Sequence, residues 1–537
     1  VKEISEERFV TMTKKSEATG AKLNRRQLIG AGAATGVAVL AGPNLRASAA
    51  PASIKAFRSS NQVPDEITVI HLDEVASLNP YADFTNPGLI VQAHILEPLV
   101  DFTGPELTPT PKLAIEWENP TDTTWIFHLR PDVVWHDGTP FTAEDVVFSF
   151  ETAAGEGSVK ARYFQRMVSV KAIDDLTVEV ELDSAYAPIL ASWAYVYIVQ
   201  KKAYEELGAD QYGLNPVGTG PYKLAEWAKE ERLVLEAFED HWNGVHEPSR
   251  IIIRPITEAA TRVAELQTGN ADVVLGVPIE MAPEIEGSSD LRLVVQNGIR
   301  PPYFVYNSMI EPFSDLRVRQ ALNYAVDRQI IVDALLGGYG EVRVGPFSPT
   351  EQAFNPDAPE YTYDVEKAKA LLAEAGYPDG FEFDWLLRKD FQVKGDEIMQ
   401  VIANQLAEVG VKANLNFAES SVWTPAYADG DFEVSVNAWG KSVEADSVIT
   451  GLRWLTENSK FYSNPAVDEI IAQARATFDA EERYQLYRNA DALLREDAVA
   501  LFVYAQPELY GTSARYEWTP YAFGGNAGLS TYYVPKS

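Results

Sequence analysis

The 537-residue chain contains no cysteine. Without thiols it can form no disulfide, thiolate zinc site or iron–sulfur cluster, and it has no cysteine nucleophile and no site for a lipid-modified N-terminal cysteine. Positive charge is scarce: 45 Lys and Arg stand against 78 Asp and Glu, a formal net charge of −33. A surface this acidic repels phosphate backbones and anionic membranes and argues against a nucleic-acid partner. Its plainest use is solubility, in keeping with a salty habitat. Histidine is rare as well, with His71, His94, His128, His136, His241 and His246 the whole set. No pair has His-Glu-x-x-His spacing, so the six read as ordinary polar or packing residues and no metal is expected. A Gly-x-Ser-x-Gly elbow is absent. Carboxylate pairs are unavoidable in so acidic a chain and say nothing about glycoside hydrolysis without geometry. No constellation marks an enzyme, and no cofactor is expected.

The composition is ample for globular packing: hydrophobic residues make up 46% and aromatics 11% of a chain long enough for two or three domains. Arg25-Arg26, the mildly apolar "LIGAGAATGVAVLAG" and the small residues Ala47-Ser48-Ala49 follow one another as the three regions of an export signal. The paired arginines resemble a twin-arginine signal, which implies export of a folded protein. "GAGAATG" imitates a dinucleotide-binding loop, but its spacing is G-x-G-x-x-x-G and no strand precedes it. Later in the chain no run of 18 apolar residues occurs, so the exported part is expected to be soluble, periplasmic in a Gram-negative cell and without a lipid anchor.

Strands are predicted at "EITVI" (66–70), "LTVEVELD" (176–183), "RLVLEAF" (232–238), "RIIIRPI" (250–256), "ADVVLGVP" (271–278) and "DFEVSVNAW" (431–439). Trp125, Phe127 and Leu129 share one strand face, Asp137-Gly138 makes a turn, and Thr142 caps a helix with Asp145 in capping-box position. "NPVGTGPYKLAEW" (215–227) carries too many Gly and Pro for a regular element. Ser314 is the expected cap of one long helix through "DLRVRQALNYAVDRQIIVDALL", and Asp364 of another that stops at Gly376 and Pro378. This strand–helix rhythm is that of an α/β protein.

"NAWGKSVEAD" (437–446) tests for a phosphate loop and fails: Gly440-Lys441-Ser442 needs a glycine at 435, and that residue is Ser435. What the chain offers instead is aromatic residues near loops, among them Tyr81, Trp423, Tyr427, Trp439 and Tyr504, suited to packing or to lining a cleft around an amphipathic ligand.

Five blocks in order, "WIFHLRPDVVWHDGTPFTAEDVVFSFE" (125–151), "PVGTGPY" (216–222), "QTGNADVV" (267–274), "PFSDLRVRQALNYAVDRQ" (312–329) and "AKALLAEAGYPDGF" (368–381), resemble the extracellular solute-binding proteins of family 5. These serve ABC importers for peptides, nickel, opines and some sugars. The resemblance implies a bilobal periplasmic-binding-protein fold, α/β, type II-like and of cluster C, with an additional inserted domain. After an export signal in 1–49, it implies a discontinuous α/β domain from 50–88, 213–296 and 505–537. A smaller inserted domain would occupy 89–212, and a second α/β domain, 297–504, would close over the ligand cleft. It also implies a monomer that binds a small-molecule or peptide ligand and meets an ABC permease in the inner membrane. In peptide-binding relatives the strand matching "VSVNAW" ends at a Trp, and an aspartate three residues later pairs with the peptide's amino terminus. Trp439 is present here, but the third residue on is Ser442 and the nearest carboxylates are Glu444 and Asp446. Arg388 or Lys389 falls near the arginine that receives the ligand carboxylate in dipeptide-type relatives, a task suited to its planar fork. Small peptides or peptide-like amines rank first as ligands, then opine-type conjugates, then oligosaccharides. An exported hydrolase, or a receptor component that hands ligand to a signalling partner, are the competing classes.

Overall fold

The computed structural model describes residues 64–103, 108–296, 301–389, 391, 394–438, 444–515, 518, 520 and 534–535, all within the compact unit Arg58–Ser537. The expected export signal, Trp439 and the Gly440-Lys441-Ser442 triplet lie outside the described residues.

Three sheets organise the chain. The first has seven strands in the order Leu291–Gln296, Glu508–Ser513, Val273–Leu275, Glu66–His71, Arg250–Pro255, Arg232–Ala237 and Tyr222–Ala228. Its central strand, Glu66–His71, runs parallel to both neighbours, with Val69 opposite Ile253 and Val273. Side chains alternate across a strand, so Ile67 and Val69 enter one apolar cluster while Ile70 enters another on the opposite face. The second sheet has five strands in the order Val411–Ala418, Phe381–Arg388, Val434–Ala438, Pro302–Tyr306 and Ala500–Phe502. Here Phe304 and Val434 pack on one face and Tyr303 and Val305 on the other. The third sheet is antiparallel, ordered Ala114–Glu118, Thr124–Leu129, Thr177–Leu182 and Met167–Asp174.

The path between sheets explains why the fold is discontinuous. After Glu66–His71 the chain leaves through the helix Asn86–Ile95 to build the antiparallel sheet, then returns at Tyr222 to continue the first sheet. It crosses to the five-stranded sheet at Pro302 and comes back for Glu508–Ser513. This is the mixed α/β architecture that the family resemblance implies.

The predicted capping box is present: Thr142 precedes the helix Ala143–Ala154, and the Asp145 carboxylate accepts from the Thr142 N–H at 3.0 Å. Two local expectations need correction. The stretch after Ser314 is not one helix but two, Leu316–Tyr324 capped by Asp315 and Arg328–Leu335 capped by Asp327. The break lets the buried Arg328 guanidinium donate to the carbonyls of Phe502, Asn323 and Tyr361. The Gly/Pro-rich stretch after Asn215 is irregular only as far as Pro221, and Tyr222–Ala228 is an edge strand. Its loop lies so close to the C-terminal end of the helix Asn86–Ile95 that a Cβ on Gly218 would collide with the Ile95 carbonyl, and one on Gly220 with the His94 carbonyl. Gly220 N–H donates to Ile95 O at 2.9 Å and so satisfies a helix-end acceptor. His136 closes the arrangement: its N–H donates to Gly218 O at 2.9 Å, its Nδ1 accepts from Gly218 N–H at 3.2 Å, and its Nε2 meets Gly220 O at 2.9 Å.

Candidate functional site

Val434–Ala438 runs parallel to Phe381–Arg388, so the carboxyl ends of both strands point the same way. Ligands of open α/β sheets bind outside such ends. There the structure has a cavity of about 950 Å³ between the lobe of the five-stranded sheet and the lobe that carries the antiparallel sheet. Asn437 and Ala438, at the strand end, form part of one wall. Asp446 and Thr450 join them from the helix Ala445–Gly451, and Arg475 from the end of the helix Pro465–Ala476. The facing wall presents Phe84, Tyr163, Tyr186 and Tyr195. Tyr163 and Tyr195 stack with ring centroids 5.4 Å apart and planes at 13°.

Asp446 is 2% exposed and fully engaged. It accepts from Arg475 Nε at 2.7 Å and from the Tyr186 hydroxyl at 2.8 Å. The second contact crosses between lobes, as does the Ala187 N–H donated to the Arg475 carbonyl at 2.7 Å. Arg475 also reaches Glu457 at 3.2 Å and the Thr450 hydroxyl at 3.0 Å. Burial works against the Arg475 charge, but Asp446 outweighs it and the guanidinium pKa is held above its ordinary value. Burial and the neighbouring Asp446 charge together push the Tyr186 phenol well up, so it stays a donor.

Of the other positions expected from sequence, Glu444 is buried at the start of the same helix, 3.5 Å from Arg483 Nε. Burial, only partly countered by Arg483, raises its carboxyl to about 7. Arg388 lies over the rings of Phe391 and Trp423, at 4.7 and 5.4 Å from their centroids, and is not on the cavity wall. Tyr81 belongs to the core: the turn at Asn79, whose side chain accepts from Tyr81 N–H, directs it inward, and its hydroxyl donates to Tyr197 O at 2.8 Å. Trp423 and Tyr427 stack on each other inside the second lobe, and Tyr504 is fully buried. Among the described residues, no group of three or more His, Cys, Asp or Glu side chains is placed to hold a metal ion. Instead His241 and His246 form a buried chain with Glu97, at 3.3 Å and 3.1 Å.

Sequence reasoning missed Arg162, Arg166, Tyr186, Arg453 and Arg475, all of which line the cavity. No motif joins residues 162 to 475; the only advance signal was the abundance of aromatic residues.

A cavity between two lobes, walled by rings, hydroxyls and ion pairs, is the geometry of a protein that encloses a solute. The comparisons agree. The model of the bacterial extracellular solute-binding proteins, family 5 Middle, matches residues 108–461. The dipeptide-binding protein of Escherichia coli strain K12 is 31% identical over 443 residues, 75% of this chain and 82% of that one. Heme-binding protein A of Haemophilus influenzae is 29% identical over 455 residues, 77% of this chain and 83% of that one. The solved structure of HbpA2 from Haemophilus parasuis superposes with a TM-score of 0.77 at 24% identity, covering 84% of this chain and 96% of that one. No helix among the described residues is long and apolar enough to cross a membrane. With its cluster C fold and its interlobe cavity, this chain belongs to family 5 of the bacterial extracellular solute-binding proteins, whose members bind solutes rather than transform them.

Proposed function

We propose that the chain captures a small peptide or peptide-like solute in the interlobe cavity and delivers it to an ABC permease of the inner membrane. In this reading it is exported folded through its twin-arginine-like signal, acts in the periplasm as a monomer and carries no lipid anchor. The observation that carries the reading is the cavity itself. About 950 Å³ is at the upper end of small-molecule sites, and its walls pair aromatic faces with charged and amide groups, as a peptide's side chains and backbone require. Because the two walls come from different lobes, a bound solute contacts both only when the lobes are together. That differential contact drives closure, and the closed form is what a permease would recognise. The relatives named for a dipeptide and for heme support an amphipathic solute.

Within this reading Asp446 belongs to the binding wall, and Trp439 follows directly in sequence on Asn437 and Ala438, which line it. Glu444 acts from behind the wall, Arg388 lies over Trp423 away from it, and Tyr81 supports the facing lobe by packing. A thermal-shift panel of di- to pentapeptides, opine-type conjugates, oligosaccharides and metal ions tests the proposal. A solute at a hundred times its dissociation constant adds about 2.7 kcal/mol to the native state, and at least one peptide is expected to do so. Shifts with oligosaccharides alone would overturn it.

A further inference from the structure

We infer that the solute this cavity takes is net anionic, a peptide or peptide-like acid bearing two or more carboxylates held by Arg453, Arg162 and Arg166. In this inference, which rests on the proposed function, Asp446 is a strut between the lobes rather than an ammonium anchor. The first observation is an inversion of charge. The chain as a whole carries −33, yet among the described residues the cavity is lined by four guanidiniums against two carboxylates, Asp446 and Glu457. Walls of low dielectric focus such a local excess onto whatever enters.

The second observation is how those charges are spent. Both carboxylates converge on one cation, Arg475, at 2.7 and 3.2 Å, and Asp446 also holds the Tyr186 hydroxyl. An incoming ammonium would have to displace a buried guanidinium to reach Asp446. The other three arginines are held mainly by neutral groups. Arg162 donates to the Tyr163 hydroxyl, Arg166 to the Ser184 hydroxyl and Arg453 to the Ala428 carbonyl. Among the described residues the one carboxylate paired with any of them within 4 Å is Asp183, 3.8 Å from Arg166 and more than half exposed. Counting it leaves the sign unchanged.

The third observation is backbone. Arg453 has φ of +60°, in the left-handed region that a non-glycine residue occupies only where its surroundings impose it. Leu452 and Trp454 on either side are fully buried. Anchoring both neighbours in the core turns the residue between them out to the cavity, where a planar fork can meet both oxygens of a carboxylate.

Titration calorimetry on the full chain tests the inference with the tripeptides Glu-Ala-Glu, Gln-Ala-Gln and Lys-Ala-Lys at low and physiological salt, and with an N-carboxyethyl amino acid. Glu-Ala-Glu is expected to bind at least tenfold more tightly than Gln-Ala-Gln, by a margin that narrows as salt rises. Arg453→Gln should cut that margin to threefold or less, and Arg453→Lys should keep most of it. If Arg453→Gln does not fold, the Arg162→Gln, Arg166→Gln double variant carries the same expectation. Equal or tighter binding of Gln-Ala-Gln or Lys-Ala-Lys would overturn the inference and leave the peptide reading standing, as would a margin untouched by these variants. Binding of the N-carboxyethyl acid with no tripeptide bound would keep the anionic class and remove the peptide reading. Binding of none of these solutes would remove both.

Discussion

Replacing Gly218 by alanine should cost this protein far more than a methyl group ordinarily does. The new Cβ would point at the backbone carbonyl of Ile95, and a helix-end carbonyl cannot step aside as a side chain can. The loop would have to withdraw, taking with it the Gly220 N–H bond to Ile95 O and the paired bonds with His136, four hydrogen bonds of 2.9–3.2 Å in all. At about 1 kcal/mol net for each bond, the loss is roughly 4 kcal/mol, a large part of the 5–15 kcal/mol that typically separates native from unfolded states. Gly287→Ala is the matching control. Gly287 has a φ of −73°, which any residue adopts, and its added Cβ would meet the Pro283 carbonyl at 3.3 Å. That exchange should change stability by less than about 1 kcal/mol. Urea unfolding followed by tryptophan fluorescence reads both, as a shift in midpoint at constant slope. If Gly218→Ala unfolds at the same urea concentration as Gly287→Ala, the close approach of loop and helix does not hold the two segments together.

Asp446→Asn leaves Arg475, among the described residues, with the more exposed Glu457 as its one carboxylate partner and should cost about 3 kcal/mol, as breaking buried pairs does; an unchanged melting midpoint of the ligand-free protein would mean that solvent, not Asp446, satisfies that guanidinium. His94 is fully buried and its imidazole is held down to about 4 by burial, with the Ile90 carbonyl pulling the other way. A folded pKa below the unfolded value of about 6.5 favours the native state above that value and is lost as pH falls from 6.5 toward 4. From pH 7 to pH 5 the loss is about 2 kcal/mol. His94→Gln should therefore flatten the pH dependence of urea stability by that amount, and parallel profiles for the two proteins would contradict it. Arg328→Met strands the carbonyls of Phe502, Asn323 and Tyr361 and should lower stability by about 3 kcal/mol; a loss under 1 kcal/mol would show that water replaces the guanidinium.

Much of the fold was legible in the chain itself because its signals are local. Alternation at Trp125, Phe127 and Leu129 marked the strand Thr124–Leu129, and the Thr142/Asp145 box marked the start of the helix after it. Ala368 and Leu372 marked the buried stripe of the helix Val365–Glu374. Period and cap are fixed by backbone geometry within a few residues, so sequence suffices. The helix break at Asp327 was misread because the residue that profits from it, Arg328, bonds to Phe502, 174 positions away. The cavity wall shows the same limit more sharply. Asp446 was legible beside the strand "VSVNA", but Arg388 looked equally suited and Tyr81 equally aromatic; only packing placed the first over Trp423 and the second in the core. Tyr186 lies 260 positions from the carboxylate it holds, and no periodicity records that distance. Local pattern was enough for most of the elements, for the α/β class, the family and a strongly negative net charge. The tertiary structure alone decided which charges face the cavity, and there it reversed the sign, because the field at a site depends on which side chains converge, not on how many the chain contains.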